Sequence, residues 1–353
     1  YTHASDAPGN DTTMNPLIHS TTLLLICLLT TVPVRADVTR YSGLCDASAA
    51  VALDEQHFVV ADDDHDFLTI YRRGKPDPVH GLDLSEYLGN REVDGKLREA
   101  DLEGAARIGN RIYWITSHGR NSKGKHQEAR QRFFATDLVD TGSGQRLQTP
   151  TSPPYTRLIE ELLADPRFAV LARAHALKIP PEAPGGFNIE GLAATPGGQL
   201  LIGFRNPLAD GKALLVPLNN PAEVVDATAR PLFGDLVVLD LGGRGVRSIE
   251  LLNGGYLIVA GPYDNGKQSG KDFALYHWSG KADASPQRVG EANFGKLHPE
   301  AMFAFPGSNG TYLLSDDGDE KVGGRACKDK EVPSGKKSFR GISLRMPALN
   351  NPP

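Results

Sequence analysis

Three glutamates of this chain stand at the beginning of short hydrophobic segments, where they could take part in chemistry. Fifteen or sixteen residues later a second hydrophobic run ends in another polar residue, which gives the pairs Glu103 with His118, Glu190 with Arg205, and Glu300 with Asp316. A β-hairpin brings the end of its second strand back beside the beginning of its first. We therefore expect the members of each pair to lie side by side. If the repeats form a ring, all three pairs converge on one point.

Two further hairpins place other residue types at the same positions. Ser48 stands where the glutamates stand and is matched by Asp63, and Arg247 is matched by Pro262. Carboxylates packed close together raise one another's pKa or bind a cation, and hard oxygen ligands suit Ca²⁺ or Mg²⁺ better than zinc. The sequence therefore predicts a site for a divalent cation, expected to be Ca²⁺. Its candidate ligands are Glu103, Glu190, Glu300, Asp316 and Asp63.

Basic side chains beside such a cation suit an anionic substrate. Arginine holds a phosphate or carboxylate group through paired hydrogen bonds, and histidine transfers protons near pH 7. The candidate catalytic residues are His118, Glu190, Arg205 and Arg120. The candidate substrate-binding residues are Arg247, Asn188, Asn206 and His298.

A structural role for the glutamates is the alternative. An acidic residue at the beginning of a strand can accept backbone N–H bonds or pair with an arginine of the neighbouring repeat, which fixes the geometry between repeats. Charge networks with shifted pKa values also serve architecture. Recurrence in three repeats favours a site more strongly than any one glutamate does.

The elements that must position these residues repeat along the chain. First strands begin after Ser48, Glu103, Glu190, Arg247 and Glu300, at intervals of 55, 87, 57 and 53 residues. Each first strand is followed by a second one rich in β-branched and aromatic residues and by a third, and a fourth is visible in some repeats. Four strands in about 50 residues predict an all-β fold, namely a single β-propeller of four-stranded blades.

The long interval leaves the number of blades at five or six. It contains an insertion at about 140–186, in which apolar residues from Tyr155 to Leu177 follow a helical spacing. We expect five blades and a short helical insertion, with a degenerate sixth blade in the insertion as the alternative. No linker divides residues 37–353, which are expected to form one domain. Val38–Tyr41 stands alone and is expected to complete the last blade.

The amino-acid composition bears on which partners the protein can bind. The 353 residues carry a formal net charge of -5, so no basic field attracts nucleic acid, which is not expected as a partner. The 38 glycines and 25 prolines, together with the short strands, favour a turn-rich β protein.

The beginning of the sequence has the features of an export signal. Residues 14–36 contain an apolar stretch too short to span a bilayer, followed by Val34-Arg35-Ala36, a site typical of signal peptidase. Residues 1–13 are expected to be an upstream or disordered segment. We predict a signal peptide at 14–36, a periplasmic or secreted protein with no membrane contact after cleavage, and a monomer. A retained membrane anchor is the alternative.

Two cysteines remain in the predicted mature chain. Cys27 lies inside the signal peptide, whereas Cys45 and Cys327 lie in the first and last repeats. An even pair in an exported protein favours a disulfide. Completion of the last blade by Val38–Tyr41 would also bring the two cysteines close together. Two buried or free thiols are the alternative.

Several motifs resemble the bacterial "domain of unknown function 3616" family, and the resemblance covers about Val38 to Met346. The motifs are Asp46-Ala47-Ser48-Ala49-Ala50, Asp101-Leu102-Glu103-Gly104-Ala105, Trp114-Ile115-Thr116-Ser117-His118-Gly119-Arg120, Asn188-Ile189-Glu190-Gly191-Leu192, Gly203-Phe204-Arg205-Asn206-Pro207, Ser315-Asp316-Asp317-Gly318 and Ser338-Phe339-Arg340-Gly341. The Glu-Gly segments and Ser-Asp-Asp-Gly are also similar, over short motifs only, to the phytase-like esterase propellers. That looser resemblance implies phosphoester chemistry.

These observations lead to one hypothesis and two rivals. The leading hypothesis is an exported hydrolase that acts on a small anionic substrate, a phosphate ester, through a cation-bound water assisted by His118. Arg120, Arg205 and Arg247 would orient the ester. The first rival is a propeller that binds an anion or a partner without catalysis, and the second is a calcium-dependent carboxylic esterase or lactonase.

Overall fold

The computed structural model describes residues 38–62, 65–90, 98–142, 145–264, 272–290 and 294–345. The expected upstream segment 1–13, the expected signal peptide or anchor at 14–36 and the candidate ligand Asp63 lie outside the described residues. Residues 36–353 form one compact unit. No helix in the described ranges is long and apolar enough to cross a membrane.

The described residues form five four-stranded antiparallel sheets and one two-stranded sheet. In chain order the strands are β1 (Thr39–Ser42), β2 (Ala49–Ala52), β3 (His57–Ala61), β4 (Phe67–Arg72), β5 (Pro78–Asp83), β6 (Leu102–Ile108), β7 (Arg111–Thr116), β8 (Phe133–Asp140), β9 (Gln145–Gln148), β10 (Asn188–Ala194), β11 (Leu200–Ala209), β12 (Lys212–Leu218), β13 (Val237–Leu239), β14 (Gly245–Leu252), β15 (Gly255–Gly261), β16 (Ala274–Trp278), β17 (Gln287–Arg288), β18 (Pro299–Phe303), β19 (Gly310–Ser315), β20 (Lys321–Val322), β21 (Arg325–Ala326) and β22 (Ser338–Arg345).

The five larger sheets are the blades of a β-propeller, which confirms the predicted fold class. Blades 1 to 4 are β2–β5, β6–β9, β10–β13 and β14–β17, each in simple sequential order. Blade 5 has the order β1-β22-β19-β18. The first strands of blades 1 to 4 and β18 of blade 5 each contact the corresponding strands of both neighbouring blades, so these inner strands form a closed ring.

Hydrophobic residues are buried between consecutive blades rather than within one sheet. Each of the five apolar clusters combines residues of two neighbouring blades. The second strands are therefore covered on both faces, and β15 is buried along its whole length. This explains why the second strands are continuous runs of apolar, β-branched and aromatic residues instead of alternating patterns.

The two ends of the described chain close the ring, as the isolated segment at Val38–Tyr41 predicted. β1 pairs with β22 in antiparallel register, with Tyr41 opposite Phe339. The Tyr41 ring stacks on Phe339, and its hydroxyl lies 2.8 Å from that of Tyr312. A disulfide joins Cys45 to Cys327, which confirms the predicted bridge and removes the free-thiol alternative.

The described part of the predicted insertion at 140–186 begins with β9, the fourth strand of blade 2, and continues with helices. It contains no sixth blade, so that alternative is wrong. It contains α1 (Leu158–Leu163), a 3₁₀ turn (Pro166–Phe168) and α2 (Ala169–Ala176). The Asp165 carboxylate caps the turn by accepting the Arg167 N–H. Apolar residues of both helices join the cluster between blades 2 and 3, so the insertion packs on the propeller. The remaining helical elements of the described chain are Glu128–Arg130, α3 (Pro221–Ala227) and Ser334–Lys336.

Candidate functional site

The key charged residues lie in β-bulges at the beginning of the inner strands. Leu102 pairs with Thr116 and Gly104 pairs with Ile115, so Glu103 is the extra residue of a bulge. The same irregularity falls at Glu190, Arg247 and Glu300. We call this end of the propeller channel the bulge end. A bulge inserts one unpaired residue and turns its side chain away from the direction that regular alternation would give.

The bulges change the expected pairing. The sequence predicts that Glu103 lies opposite His118, Glu190 opposite Arg205 and Glu300 opposite Asp316, as in a regular hairpin. In the structure Pro299 pairs with Ser315 and Ala301 with Leu314, so Glu300 has no cross-strand partner. Arg205 is itself an extra residue between the paired residues Phe204 and Asn206. The side chains therefore meet across blades as well as within them.

Arg247 is the centre of a charge cluster that joins three blades. Its Nε lies 2.9 Å from Oε2 of Glu190 in blade 3, in an orientation too bent for a hydrogen bond. Its Nη2 pairs with Oε1 of Glu300 in blade 5. Burial acts to lower the pKa of Arg247. The surrounding carboxylates, led by Glu190 and Glu300, outweigh burial, and the net shift of the pKa is upward. Arg247 is 2% exposed, so water screens these interactions little.

Glu190 is held from two other sides. Its Oε1 accepts hydrogen bonds from Arg205 Nη1 at 2.8 Å and from Asn188 Nδ2 at 2.9 Å. Arg205 also lies 3.5 Å from Glu182, a residue of the insertion. The Asn206 amide donates to the carbonyl oxygens of Pro181 and Ala183, each at 2.8 Å. The insertion is therefore fastened to the bulge end.

Several polar atoms of this cluster have no hydrogen-bond partner among the described residues. They include Nη1 of Arg247 and Oδ1 of Asn206, both of them buried. A buried N–H or oxygen without a partner is costly, and such groups in a native protein indicate a ligand, an ordered water or stored strain. The cluster thus has donors and acceptors left for a small polar ligand.

Two neighbouring carboxyl groups have pKa values shifted in opposite directions. Burial raises the pKa of Glu300 to about 8, even though Arg247 acts in the other direction. Burial also acts to raise the pKa of Asp316, but hydrogen bonds with the Asp46 side chain and the Gly318 N–H outweigh it, and the net shift is downward. Near pH 7 the structure therefore combines a protonated and an ionised carboxyl group. Such a pair can supply a general acid and a general base.

Four of the predicted cation ligands, Glu103, Glu190, Glu300 and Asp316, lie around Arg247 and raise its pKa. Oxygens of Glu190 and Glu300 face arginines, and no group of three acidic, histidine or cysteine side chains within the described ranges could hold one metal ion. The negative charge of Glu103 contributes to the raised pKa of Arg247, and the Glu103 residue is partly exposed. Because arginine guanidinium groups already occupy the oxygens of Glu190 and Glu300, the described cluster does not fit a divalent cation. Asp63 lies outside the described residues, and the Ca²⁺ site stays a prediction.

The sequence predicts that His118 transfers protons near pH 7, and the surroundings of His118 in the structure do not favour this. Its backbone is left-handed with φ at 50°, and its Nδ1 lies 3.1 Å from Oε1 of Gln131. Burial lowers the pKa of His118 to about 4, so the imidazole is neutral at pH 7. None of the described contacts joins His118 to the charge cluster. Its catalytic role is still a prediction.

The remaining candidates are spread around the bulge end. Nη1 of Arg120 donates to the Gly124 carbonyl at 3.3 Å, within the loop after β7. His298 is exposed, and its carbonyl accepts the Asp316 N–H. Sequence reasoning missed Asp46 and Lys328, which surround Asp316 with hydrogen-bonding and charged groups. The signal for Asp46 is its position next to Cys45, because the disulfide draws that segment to the last blade.

The comparisons with known proteins give one match to a family model and do not identify an activity. A family model described as "Protein of unknown function (DUF3616)" matches residues 140–312. No curated protein matches the chain. The confirmed resemblance therefore adds no established reaction.

Solved structures that are similar to this chain include enzymes. A glutaminyl cyclase from Myxococcus xanthus has 13% identity and a TM-score of 0.38, with 87% of this chain and 96% of that chain covered. A putative oxidoreductase (glucose dehydrogenase) from Thermus thermophilus has 15% identity and a TM-score of 0.42, with 88% and 100% covered. An exo-β-1,3-galactanase from Phanerochaete chrysosporium has 10% identity and a TM-score of 0.44, with 87% and 63% covered. These values are too low to carry an inference about activity.

Proposed function

We propose that this chain, of which residues 140–312 match the family model described as "Protein of unknown function (DUF3616)", is a hydrolase that cleaves small phosphate esters at the bulge end of its propeller. The observation that carries the proposal is Nη1 of Arg247, a buried charged donor without an acceptor among the described residues. It lies in a cluster where a protonated and an ionised carboxyl group are neighbours.

The arginines supply the anion site. A phosphate oxygen bound at Nη1 of Arg247 would complete the hydrogen bonding of that guanidinium, and Arg205 adds a second positive charge. Glu190 accepts from Arg205 and is in ion-pair contact with Arg247, so it orients both guanidinium groups. Donors fixed before the substrate arrives stabilise the charge that develops on the phosphoryl oxygens.

The two carboxyl groups supply the proton transfers. Asp316, ionised near pH 7, takes a proton from water while the water oxygen forms a bond to phosphorus. Glu300 gives its proton to the leaving alkoxide oxygen as the bond between that oxygen and phosphorus breaks. The products are an alcohol and a phosphate group, and the proton on Asp316 returns to Glu300 through solvent. General acid and base groups of this kind contribute about 10²- to 10⁴-fold each.

Turnover of an alkyl phosphate, glycerol 2-phosphate, measured as released inorganic phosphate between pH 5 and pH 10, tests the proposal. Because the acid must be protonated, kcat/KM should fall as pH rises through about 8, the pKa of Glu300. Glu300→Gln should lower kcat about 10²- to 10⁴-fold and remove that alkaline decline. Glu55→Gln, at an exposed turn, is the matched control and should behave like the wild type. An unchanged rate and profile in Glu300→Gln would contradict the proton-donor role.

The predicted Ca²⁺ is checked separately, since no step above depends on it. The measurements are metal analysis of the purified protein and turnover after dialysis against EDTA. Turnover that is lost with EDTA and restored by Ca²⁺ would support the cation prediction. Full turnover by metal-free protein would remove it.

An anion-binding propeller without catalysis is the second candidate. It is favoured by the deep burial of the cluster, in which the Arg247 and Glu190 side chains are 3% and 1% exposed and join neighbouring blades. Calorimetric titration with inorganic phosphate separates the candidates. Saturable phosphate binding that Arg205→Met weakens, with neither glycerol 2-phosphate nor p-nitrophenyl acetate turned over, would favour this candidate. Turnover of the acetate alone would favour the carboxylic esterase hypothesis.

Export is part of the proposal. The disulfide between Cys45 and Cys327 supports an oxidising compartment, either the periplasm or the exterior of the cell. N-terminal sequencing of the protein recovered from its native compartment should give a chain that starts at Asp37. Size-exclusion chromatography with light scattering should give the mass of a monomer.

A further inference from the structure

A second cavity lies at the end of the channel opposite the bulge end, which we call the far end. Its volume is about 550 Å³, and the ends of all five inner strands contribute to its wall. The wall combines polar groups with apolar side chains, among them Leu53, Ala106, Ala194 and Phe305. A cavity of this volume suits a small molecule.

Glu250 lines this cavity and has few interactions. Its Oε1 accepts the Ala304 N–H at 3.1 Å, and no other hydrogen bond or ion pair of Glu250 is found among the described residues. Protein atoms surround the side chain on most sides, while part of it stays accessible through the cavity. Burial raises the pKa of Glu250 to about 8, and no basic side chain acts in the other direction. The carboxyl group is therefore neutral near pH 7.

Arg107 is the other charged residue in the described part of the cavity wall, and three backbone carbonyl groups hold its Nε and Nη1. Its guanidinium donates to the carbonyl oxygens of Ala52, Leu53 and Gly109, at 2.9 Å for Ala52 and 2.7 Å for Gly109. Arg107 thus ties together the ends of blades 1 and 2, and its charge does not contribute to the pKa shift of Glu250. Glu250 is therefore the one carboxyl group in the described part of the cavity wall, and none of its described contacts is an ion pair.

We propose that the far-end cavity binds a small organic cation, an alkylammonium group held by the Glu250 carboxylate with its alkyl chain against the apolar side chains of the wall. An unpaired charge is costly in such a site, whereas a hydrogen-bonded ion pair offsets much of that cost. Binding is coupled to proton release: the carboxyl group loses its proton to solvent, and the alkylammonium ion takes its place as the partner. The site is distinct from the charge cluster at the bulge end.

Isothermal titration with n-butylammonium chloride tests the inference, with n-butanol as the neutral analogue of the same length. In PIPES and HEPES buffers at pH 7, the dependence of the enthalpy on the buffer should show release of close to one proton per ligand. Affinity for butylammonium should rise from pH 7 to pH 8, because less of the carboxyl group then has to be deprotonated. Butanol should bind much more weakly and release no proton.

Glu250→Gln keeps the shape of the side chain and removes its charge. It should weaken butylammonium binding at least tenfold and abolish proton release, while turnover of glycerol 2-phosphate stays at the wild-type rate. Three results would overturn the inference: no saturable binding by the wild type, equal affinity for butanol and butylammonium, or unchanged binding by the variant. Because phosphate turnover is measured on the same proteins, failure here is distinguishable from failure of the proposed hydrolase activity.

Discussion

At the scale of single residues, Arg247 is the charged group that links carboxyl groups of two other blades. Arg247 contacts Glu190 and Glu300 from different blades, and Asp316 and Glu300 influence each other's protonation. Sequence reasoning identified each of these side chains, because charged residues at the beginning of buried strands are unusual. It placed them in regular cross-strand pairs, and it predicted a cation where the structure has Arg247. Which carboxyl group keeps its proton depends on distances across blades that the sequence does not contain.

Replacement of Arg247 should be strongly destabilising. Arg247→Met leaves the buried carboxyl groups of Glu190 and Glu300 without their shared partner, which should lower the free energy of unfolding by roughly 3–5 kcal/mol. Urea unfolding at pH 7 measures it. Arg325→Met is the control, because the pair of Arg325 with Glu331 is exposed and should contribute less than about 1 kcal/mol.

A double-mutant cycle separates the pair from the loss of packing. If the pair with Glu300 matters, Arg247→Met combined with Glu300→Gln should be less destabilised than the sum of the single variants by about 1 kcal/mol or more. Additive effects would show that the pair of Arg247 with Glu300 does not contribute to stability.

At the scale of the elements, the bulges explain the Glu-Gly motif. The residue after each bulge packs against the next blade: a Cβ on Gly104 would lie 2.9 Å from Cβ of Leu192, and one on Gly191 would lie 2.7 Å from Cγ1 of Val246. Blade 4 has Ser248 at this position, whose hydroxyl accepts the Met302 N–H at 3.0 Å. The bulged residue thus contributes its side chain to the bulge end of the channel. The residue after it determines how closely neighbouring blades pack. The sequence shows the motif, but not the neighbour that requires glycine.

Gly191→Ala tests this division of roles. The added methyl group must displace Val246 or the facing backbone, so we expect a loss of about 1–3 kcal/mol in the free energy of unfolding. Gly335→Ala is the control, because a Cβ there meets no atom within 4 Å, and it should stay within about 0.5 kcal/mol. Equal stabilities of the two variants, measured by thermal unfolding, would show that the inner strands can move apart freely.

At the scale of the whole molecule, the ring is closed twice. β1 brings the beginning of the described chain to β22, and the disulfide links the same two regions across 282 residues of sequence. In the closed ring each pair of neighbouring blades shares an apolar cluster. Separation of one pair would therefore expose the apolar faces of two sheets to water. The two ends of the channel then carry different chemistry, with paired charges at the bulge end and a single carboxyl group at the far end.

Removal of the disulfide should destabilise the ring without changing the blades. Cys45→Ser with Cys327→Ser should lower the free energy of unfolding by about 3–5 kcal/mol, since the bridge closes a very long loop of the unfolded chain. Thermal unfolding with and without a reductant checks this. The reductant should lower the melting temperature of the wild type and leave that of the double variant unchanged. A reductant effect on the variant would point to a cause other than this bridge.

The sequence by itself determined the repeats, the four-stranded blades, the ring closure by Val38–Tyr41 and the disulfide. These features follow from strand periodicity, turn residues and cysteine count. Such patterns are local, so they can be recognised in the sequence without knowledge of tertiary contacts. Tertiary structure decided the number of blades, the bulges and the protonation of Glu300 and Asp316. It also decided the isolation of Glu250. Those properties depend on burial and on charges brought together from different blades, so no segment of the sequence contains them alone.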